Sequence, residues 1–333
     1  MKRILITGAS SGIGLEAARR LACSGHQLTL LCRSSERGQQ TRAQLLAAGA
    51  TSSQVTCLVA DLADLGSVQS ACDQLLERAE PLDALVLNAG QQRAGATAPV
   101  WSPQGIEITF AVNQLAHQLI ATGLLPLLRA GSQPRVVITA SDVHNPATGG
   151  GRVGQPADLG DLAGLRAGAG FVMLDGKARF DGDKAYKDSK LCNVLLGREL
   201  DHQLAGAMPV LTWSPGLVIQ RSREGFFRHN RQSNPLGMAL FALVARDLLR
   251  VTESVATAGG LLADLITDPA FGSSGFNYWS NRLVRPGMHR FSAAQTSAEA
   301  ADLAKAGELW RLSQALIETT HQTATPSFKD QST

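Results

Sequence analysis

Through the first 140 residues, short apolar runs alternate with longer stretches in which apolar residues recur every three to four positions. A short apolar run between turn residues suits a strand buried on both faces, and the three-to-four recurrence marks one face of a helix. The pattern predicts strands over 3–7, 27–32, 55–60, 83–87 and 134–140, with helices over 12–24, 36–48, 65–79 and 104–129. Such alternation belongs to βα units feeding a mainly parallel, doubly wound sheet, an α/β fold of one domain over 1–320. Past residue 143 the regularity fades. Residues 143–183 are rich in glycine and turns (Gly149-Gly150-Gly151, Gly168, Gly170) and read as an insertion lying over the sheet edge. A helix over 184–204 and a strand over 209–213 follow, then a loop and apolar helix over 217–250 and a helix over 252–267. A last strand over 275–279 and a helix over 296–318 complete the expectation, and 321–333 reads as a flexible polar tail.

Composition narrows the class. With 333 residues, 44% apolar and 18% charged, the chain can bury a sizeable core and is neither collagenous nor disordered. Its formal charge of +3 comes from basic residues dispersed among nearly as many acids, so no nucleic-acid partner is expected. Cys23, Cys32, Cys57, Cys72 and Cys192 form no CxxC pair, which points away from disulfides or zinc and towards a reducing, cytoplasmic compartment. His117, His144 and His229 lack metal-ligand spacing and read as structural; no metal is expected. Only Ile4-Leu5-Ile6 follows the basic start, too short for a signal peptide. The most apolar later stretch, 236–249, is broken by Arg246 and Asp247 and falls short of the ~20 residues that span a bilayer.

Candidate chemistry begins where the first strand ends. Thr7-Gly8-Ala9-Ser10-Ser11-Gly12-Ile13-Gly14 follows that strand and leads into a helix. Glycines at 8, 12 and 14 allow a tight turn and close approach of a pyrophosphate, while the helix N-terminus offers free N–H groups and the positive end of its dipole. This is a dinucleotide-binding turn of the Rossmann type, and Ser10, Ser11 and Ile13 belong to it. An acid at the end of the second strand would accept bonds from a ribose 2′-hydroxyl. Cys32-Arg33-Ser34-Ser35-Glu36-Arg37 instead offers Arg33 and Arg37 to a 2′-phosphate, with Ser10 or Ser34 adding hydroxyls, so NADPH is the expected cofactor. Asp61 is placed for the adenine amino group, and Leu62 closes that slot. Asn88-Ala89-Gly90 leaves room for the cofactor ribose while Asn88 braces the loop. Pro215 and Gly216, after the sixth strand, are further expected cofactor contacts.

Tyr186 and Lys190 stand four residues apart and share one helix face. A nearby ammonium and the nicotinamide's positive charge lower a phenol's ionisation, which makes Tyr186 a usable acid near neutrality and gives both residues contact with the cofactor. Ser141, just past the fifth strand, can donate to a substrate oxygen. Asn113 can hold a water that links Lys190 to solvent.

In this order, the glycine turn, Asn88-Ala89-Gly90, Asn113, Ser141 and Tyr186-x-x-x-Lys190 resemble the short-chain dehydrogenase/reductase family over at least 3–216. One spacing departs, because ordinary members keep the serine and tyrosine close in sequence and here 143–183 separates them. Pro156-Ala157-Asp158-Leu159-Gly160-Asp161-Leu162, the stretch 183–193, Asp268-Pro269-Ala270-Phe271-Gly272, Tyr278-Trp279-Ser280-Asn281 and Trp310-x-x-Ser313 are similar to the light-dependent protochlorophyllide reductases, across nearly the whole chain. That resemblance implies reduction of one double bond of a bound porphyrin-like pigment after it absorbs light, a step of chlorophyll biosynthesis in photosynthesis. The hydride would come from NADPH and the proton from the protein. It puts Arg33 and Arg37 at phosphate-binding positions, Ser141 where the subfamily has threonine, and Cys192 at one of its cysteines. It fails at Gly90, and at Ser214 and Leu217, where the subfamily has tyrosine and cysteine. Ser214 is too short and Leu217 has no donor, so pigment would be gripped mainly by apolar contact and converted slowly. Ser214→Tyr with Leu217→Cys is then expected to raise the light-driven rate.

In the family layout Phe226-Phe227 and 236–249 would cover the active site. A lipophilic small-molecule substrate would need such a lid, touching Ser141, Leu217, Phe226 and Phe227. For that segment the alternatives are an ordinary buried helix and a peripheral contact with a photosynthetic membrane; self-association also stays open. Two other functional readings stand beside the pigment reductase: light-independent reduction of a lipophilic ketone or aldehyde such as a retinoid, and a catalytically weak NADPH- or pigment-binding protein. The intact Asn113, Ser141, Tyr186 and Lys190 oppose the last.

Overall fold

Ile4, Leu5, Ile6, Leu85, Val86 and Val137 have no exposed surface, as strands covered on both faces require. In the computed structural model, which describes residues 1–220 and 226–324, these runs form one eight-stranded sheet. Its strands are β1 (Arg3–Thr7), β2 (Gln27–Cys32), β3 (Val55–Val59), β4 (Ala84–Leu87), β5 (Val136–Thr139), β6 (Pro209–Ser214), β7 (Gly275–Arg285) and β8 (Met288–Ala293). The order is β3-β2-β1-β4-β5-β6-β7-β8, parallel except for the β7–β8 hairpin. The order reverses between β1 and β4, so the turns after those strands open into one crevice at their carboxyl ends.

Helices cover both faces. Helix α1 (Gly12–Cys23) and α2 (Ser35–Ala47) pack on one face, while α3 (Leu65–Arg78), α4 (Ala116–Gly123) and α5 (Gly182–Gln203) pack on the other. The chain continues through α6 (Pro235–Ala242), α7 (Val255–Thr267) beside α1, and α8 (Leu303–Ala324) beside α5.

Four expectations need correction. The segment 104–129 is not one helix. Trp101 and Glu107 pair as an isolated bridge, and the Glu107 carboxylate caps the helical start by accepting from the N–H groups of Thr109 and Phe110. A π-wound turn, Ala111–Leu115, then precedes α4, and a separate short helix spans Leu125–Arg129. The last strand is not 275–279, because β7 runs to Arg285 and a Pro286-Gly287 turn returns the chain as β8. The tail does not begin at 321: residues 321–324 finish α8, and 325–333 lie outside the described residues. Nor does 143–183 lie over the sheet edge. Its Leu159, Leu162, Leu165 and Phe171 join the core cluster of the α3–α5 face, with Phe171 edge-on to Phe110 at 5.6 Å.

Candidate active site

The glycine turn divides its glycines between two tasks. A Cβ on Gly8 (φ +69°) would stand 2.7 Å from Cα of Ala89, and one on Gly14 would collide with the Gly8 carbonyl oxygen. These two are therefore required by the chain's own backbone. Gly12 (φ +56°) faces outward, and a Cβ there would collide with Nε2 of Gln220. The turn is stitched to β4 by Asn88, whose Nδ2 donates to the carbonyls of Thr7 and Gly8 at 3.2 and 3.3 Å, and by Thr7 Oγ1, which accepts from the N–H groups of Asn88 and Ala89. His117 backs the same hydroxyl at 3.2 Å; burial pushes its ionisation down to about 3, so it is a neutral structural residue.

Ser11 precedes α1 without spending its side chain on capping, and Ser10 and Ile13 are half-buried beside it. Arg33 is exposed and Arg37 half-buried at the start of α2, where Ser34 caps the helix by accepting from Arg37 N–H. One oxygen of Asp61 accepts from Ala63 N–H, and Leu62 packs against the core. Gly90 leaves the space in which Lys190 Nζ and Asn113 Oδ1 sit, 3.5 and 3.6 Å from where its Cβ would be. Pro215 and Gly216 (φ +80°) are tied by Asn281, whose Nδ2 donates to the Pro215 carbonyl. The donors that follow β1 and β2 in the chain are the N–H groups at the start of α1 and the Arg33 and Arg37 side chains, with no acid at the end of β2. That donor set fits a dinucleotide carrying a 2′-phosphate.

Helix α5 brings Tyr186 and Lys190 together, with Nζ 5.8 Å from the ring centroid. The Ser141 side chain stands beside the Tyr186 hydroxyl and favours its ionised form, while Ser141 Oγ accepts from Val143 N–H at 3.4 Å. Burial pushes the Tyr186 phenol well above the ordinary range, against the opposing influence of the Ser141 side chain. Burial also brings Lys190 down to about 7. Its Nζ donates to the carbonyl of Thr139 at 2.8 Å and to Oδ1 of Asn193 at 3.0 Å.

Asn193 Nδ2 donates to the Asn113 carbonyl at 2.6 Å, so a carboxamide joins Lys190 to Asn113. Asn113 itself sits in the π turn, accepting from Gln91 N–H and donating to Gln91 O and Ser189 Oγ. Sequence reading missed Asn193, although its position three residues past Lys190 puts it on the same helical face.

Ser214 and Leu217 do not leave gaps in the crevice. Ser214 is buried, with its Oγ accepting from Asp142 N–H at 3.0 Å. Leu217 packs with Ile219, Ala242 and Phe227. A tyrosine at 214 would displace that hydrogen bond in a filled site, so Ser214→Tyr is not a simple restoration. Phe226 does face the site: its ring lies 5.3 Å from that of Tyr186 and 5.1 Å from that of Phe227. Cys192 is fully buried, and burial pushes its thiol far up. Among the described residues no group of three or more His, Cys, Asp or Glu side chains could hold a metal ion.

Comparison with known proteins agrees with this geometry. The sequence signature described as short chain dehydrogenase matches residues 2–150. A protochlorophyllide reductase of Avena sativa is 36% identical over 327 residues, covering 94% of this chain and 99% of that one. Protochlorophyllide reductase A, chloroplastic, of Oryza sativa subsp. japonica is 37% identical over 327 residues, covering 94% and 80%. Among solved structures, levodione reductase superposes with a TM-score of 0.61 at 20% identity, covering 86% of this chain and 96% of that one. The RhlG/NADP active-site complex of Pseudomonas aeruginosa gives 0.61 at 23% identity, covering 84% and 94%. The chain therefore belongs to the short-chain dehydrogenase/reductase family, as an NADPH-dependent oxidoreductase with protochlorophyllide reductases among its relatives.

Proposed function

We propose that this protein reduces protochlorophyllide to chlorophyllide in light, adding hydrogen across one double bond of the pigment. The observation that carries this reading is the identity of 36% to a protochlorophyllide reductase over 99% of that relative's length. NADPH, when bound, supplies the hydride. Tyr186 supplies the proton, and Ser141 fixes the direction of its hydroxyl. Because burial opposes the phenolate, transfer requires positive charge beside the ring, and Lys190 holds that place. Arg33 and Arg37 would hold the 2′-phosphate, the glycine turn with Gln220 the diphosphate, Asp61 and Leu62 the adenine. Phe226 and Phe227 would cover the pigment against water.

The outer face of 236–249 exposes Leu236, Leu240, Phe241, Leu243, Leu248 and Leu249 around an Arg246–Asp247 pair and is followed by Arg250, which suits peripheral contact with a photosynthetic membrane. No helix among the described residues is long and apolar enough to cross one.

The test is an absorption spectrum of the purified protein with NADPH and protochlorophyllide, before and after illumination. Conversion only in light is expected. Failure to bind pigment, together with reduction of a lipophilic ketone in darkness, would replace this reading with a carbonyl reductase. Binding without conversion would make it a pigment-binding protein.

A further inference from the structure

Three strands meet at the residue that follows Ser141. Asp142 leaves the end of β5 and reaches across β6 to β7. One carboxylate oxygen accepts from the Tyr278 hydroxyl at 2.8 Å and the other from Ser280 Oγ at 2.6 Å. Arg282 stands 3.7 Å from the second oxygen. Asp142 N–H donates to Ser214 Oγ at 3.0 Å, so hydroxyl side chains from β6 and β7 hold this one residue at both its backbone and its carboxylate. Tyr278, Ser280 and Ser214 are all buried, so each bond is made away from competing water.

A second brace acts on the other side. His144 Nε2 accepts from Ser297 N–H at 3.3 Å, which leaves the proton on Nδ1, and Nδ1 donates to the Ser141 carbonyl at 2.7 Å. The His144 ring also meets Tyr278 edge-on at 5.2 Å. Between these braces Ser141 is extended (φ −165°, ψ 147°), its Oγ accepts from Val143 N–H at 3.4 Å, and its side chain stands beside the Tyr186 hydroxyl.

We propose that Asp142 is a positioning residue for the reduction: held by Tyr278, Ser280 and Ser214, it fixes the turn that presents Ser141 Oγ to the Tyr186 hydroxyl. This rests on the reading of Tyr186 and Ser141 given above. Bonds to an ionised acceptor are stronger and more directional than neutral ones, so a carboxylate at 142 holds the turn more tightly than an amide or alkyl group would. The same turn accounts for Ser214, where a short hydroxyl accepts from Asp142 N–H in a buried site.

The chain contains only two tyrosines, Tyr186 and Tyr278, so tyrosinate absorbance in the NADP⁺ complex can be assigned by comparison with Tyr186→Phe. Asp142→Ala is expected to raise the Tyr186 midpoint by about one pH unit. It should also lower kcat for light-driven protochlorophyllide reduction about tenfold, with KM and NADPH affinity unchanged within about twofold. Ser141→Ala should do the same, and the double variant should be no worse than either alone. Asp142→Asn should recover part of the loss. Should Asp142→Ala fold poorly, Tyr278→Phe and Ser280→Ala each remove one brace and should lower kcat about threefold, in the order Ser141-dependence predicts. The proposal is overturned if Asp142→Ala only lowers thermal stability, or if its effects on kcat and on the Tyr186 titration add to those of Ser141→Ala. If Ser141→Ala itself leaves both unchanged, the reading of Ser141 fails first and takes the proposal with it.

Discussion

Two segments outside the regular βα pattern, 143–183 and 226–249, differ in the opposite sense to their composition. The first is glycine-rich and polar, yet it is fastened into the core. Lys184 on α5 donates to the Asp158 carbonyl and pairs with Asp188 at 2.6 Å and Asp175 at 3.2 Å. Lys187 donates to the carbonyls of Gly151, Val153 and Gln155. Both ammonium groups are buried, and they tie the insertion to the helix that carries Tyr186. The second segment is strongly apolar, yet Leu236 is 83% and Leu248 72% exposed, and among the described residues its buried face meets a small cluster around Ile219, Ala242 and Ala245. Hydrophobic content measures the drive to be covered. Whether a segment is covered depends on the partners the fold sets opposite it, and α5 supplies lysines where 143–183 supplies carbonyls and carboxylates.

The contrast can be broken most forcefully at Lys184. Lys184→Met leaves the buried Asp188 without its cation, while Asp175 keeps Lys177 at 2.9 Å, and should cost about 3–5 kcal/mol, measured by chemical denaturation. A loss under about 1 kcal/mol would mean that the insertion is held by its apolar residues alone.

Tyr186 lies between the two segments, on the helix that grips one and against the Phe226 ring of the other. Tyr186→Phe should lower turnover by ~10²-fold while NADPH titrations remain unchanged. Undiminished turnover would show that the proton comes from elsewhere.

Lys190 sharpens the comparison through pH. Burial lowers it from 10.5 to about 7, whereas two carboxylates hold Lys184 above its ordinary value against the opposing effect of burial. A lysine depressed in the folded state binds fewer protons there than when unfolded. Its contribution to the stability of the cofactor-free protein therefore rises with pH above about 7, by up to about 1.4 kcal/mol per unit, until the unfolded lysine also loses its proton. Denaturation of the wild type and Lys190→Met across that range should show the slope only in the former.

Phe226→Ala removes the ring contact between the second segment and Tyr186. Such pairs contribute about 0.5–1.5 kcal/mol, so the segment should dock less firmly over Tyr186, with a loss of stability no larger than that and a several-fold rise in KM for the pigment. The smallest effect is expected at the exposed leucines. Leu236→Gln with Leu240→Gln should change stability by no more than about 0.5 kcal/mol, and a larger loss would reveal a partner surface on that face.

Legibility from sequence follows the same division. Strands β1 to β6 and helices α1 to α3 could be read because each is a local pattern: a buried run, a periodic face, a turn. Asn88, Ser141, Tyr186 and Lys190 could be read because they sit at the ends of those patterns. Asn193 and Asp142 escaped because their roles depend on what the fold brings beside them, the carbonyl of Asn113 in one case and the hydroxyls of Tyr278 and Ser280 in the other. Strand β8 escaped because its half-exposed Met288-His289-Arg290-Phe291 has no continuous apolar run, although the Pro286-Gly287 turn before it was a usable signal. The position of 143–183 was hidden because its anchors are charged side chains on a distant helix.

The π turn at Ala111–Leu115 gives the long helical run a phase shift. One extra residue in an α-helix advances every later side chain by about 100° relative to those before it. Phe110 upstream and Leu119 downstream are both buried in the same core cluster, while Asn113 between them points at Gln91 and Ser189. A helix of uniform pitch would have to choose between those demands. A one-residue deletion within 111–115 should therefore be worse than most substitutions there, because it would put the Asn113 amide and the downstream leucines out of step with each other.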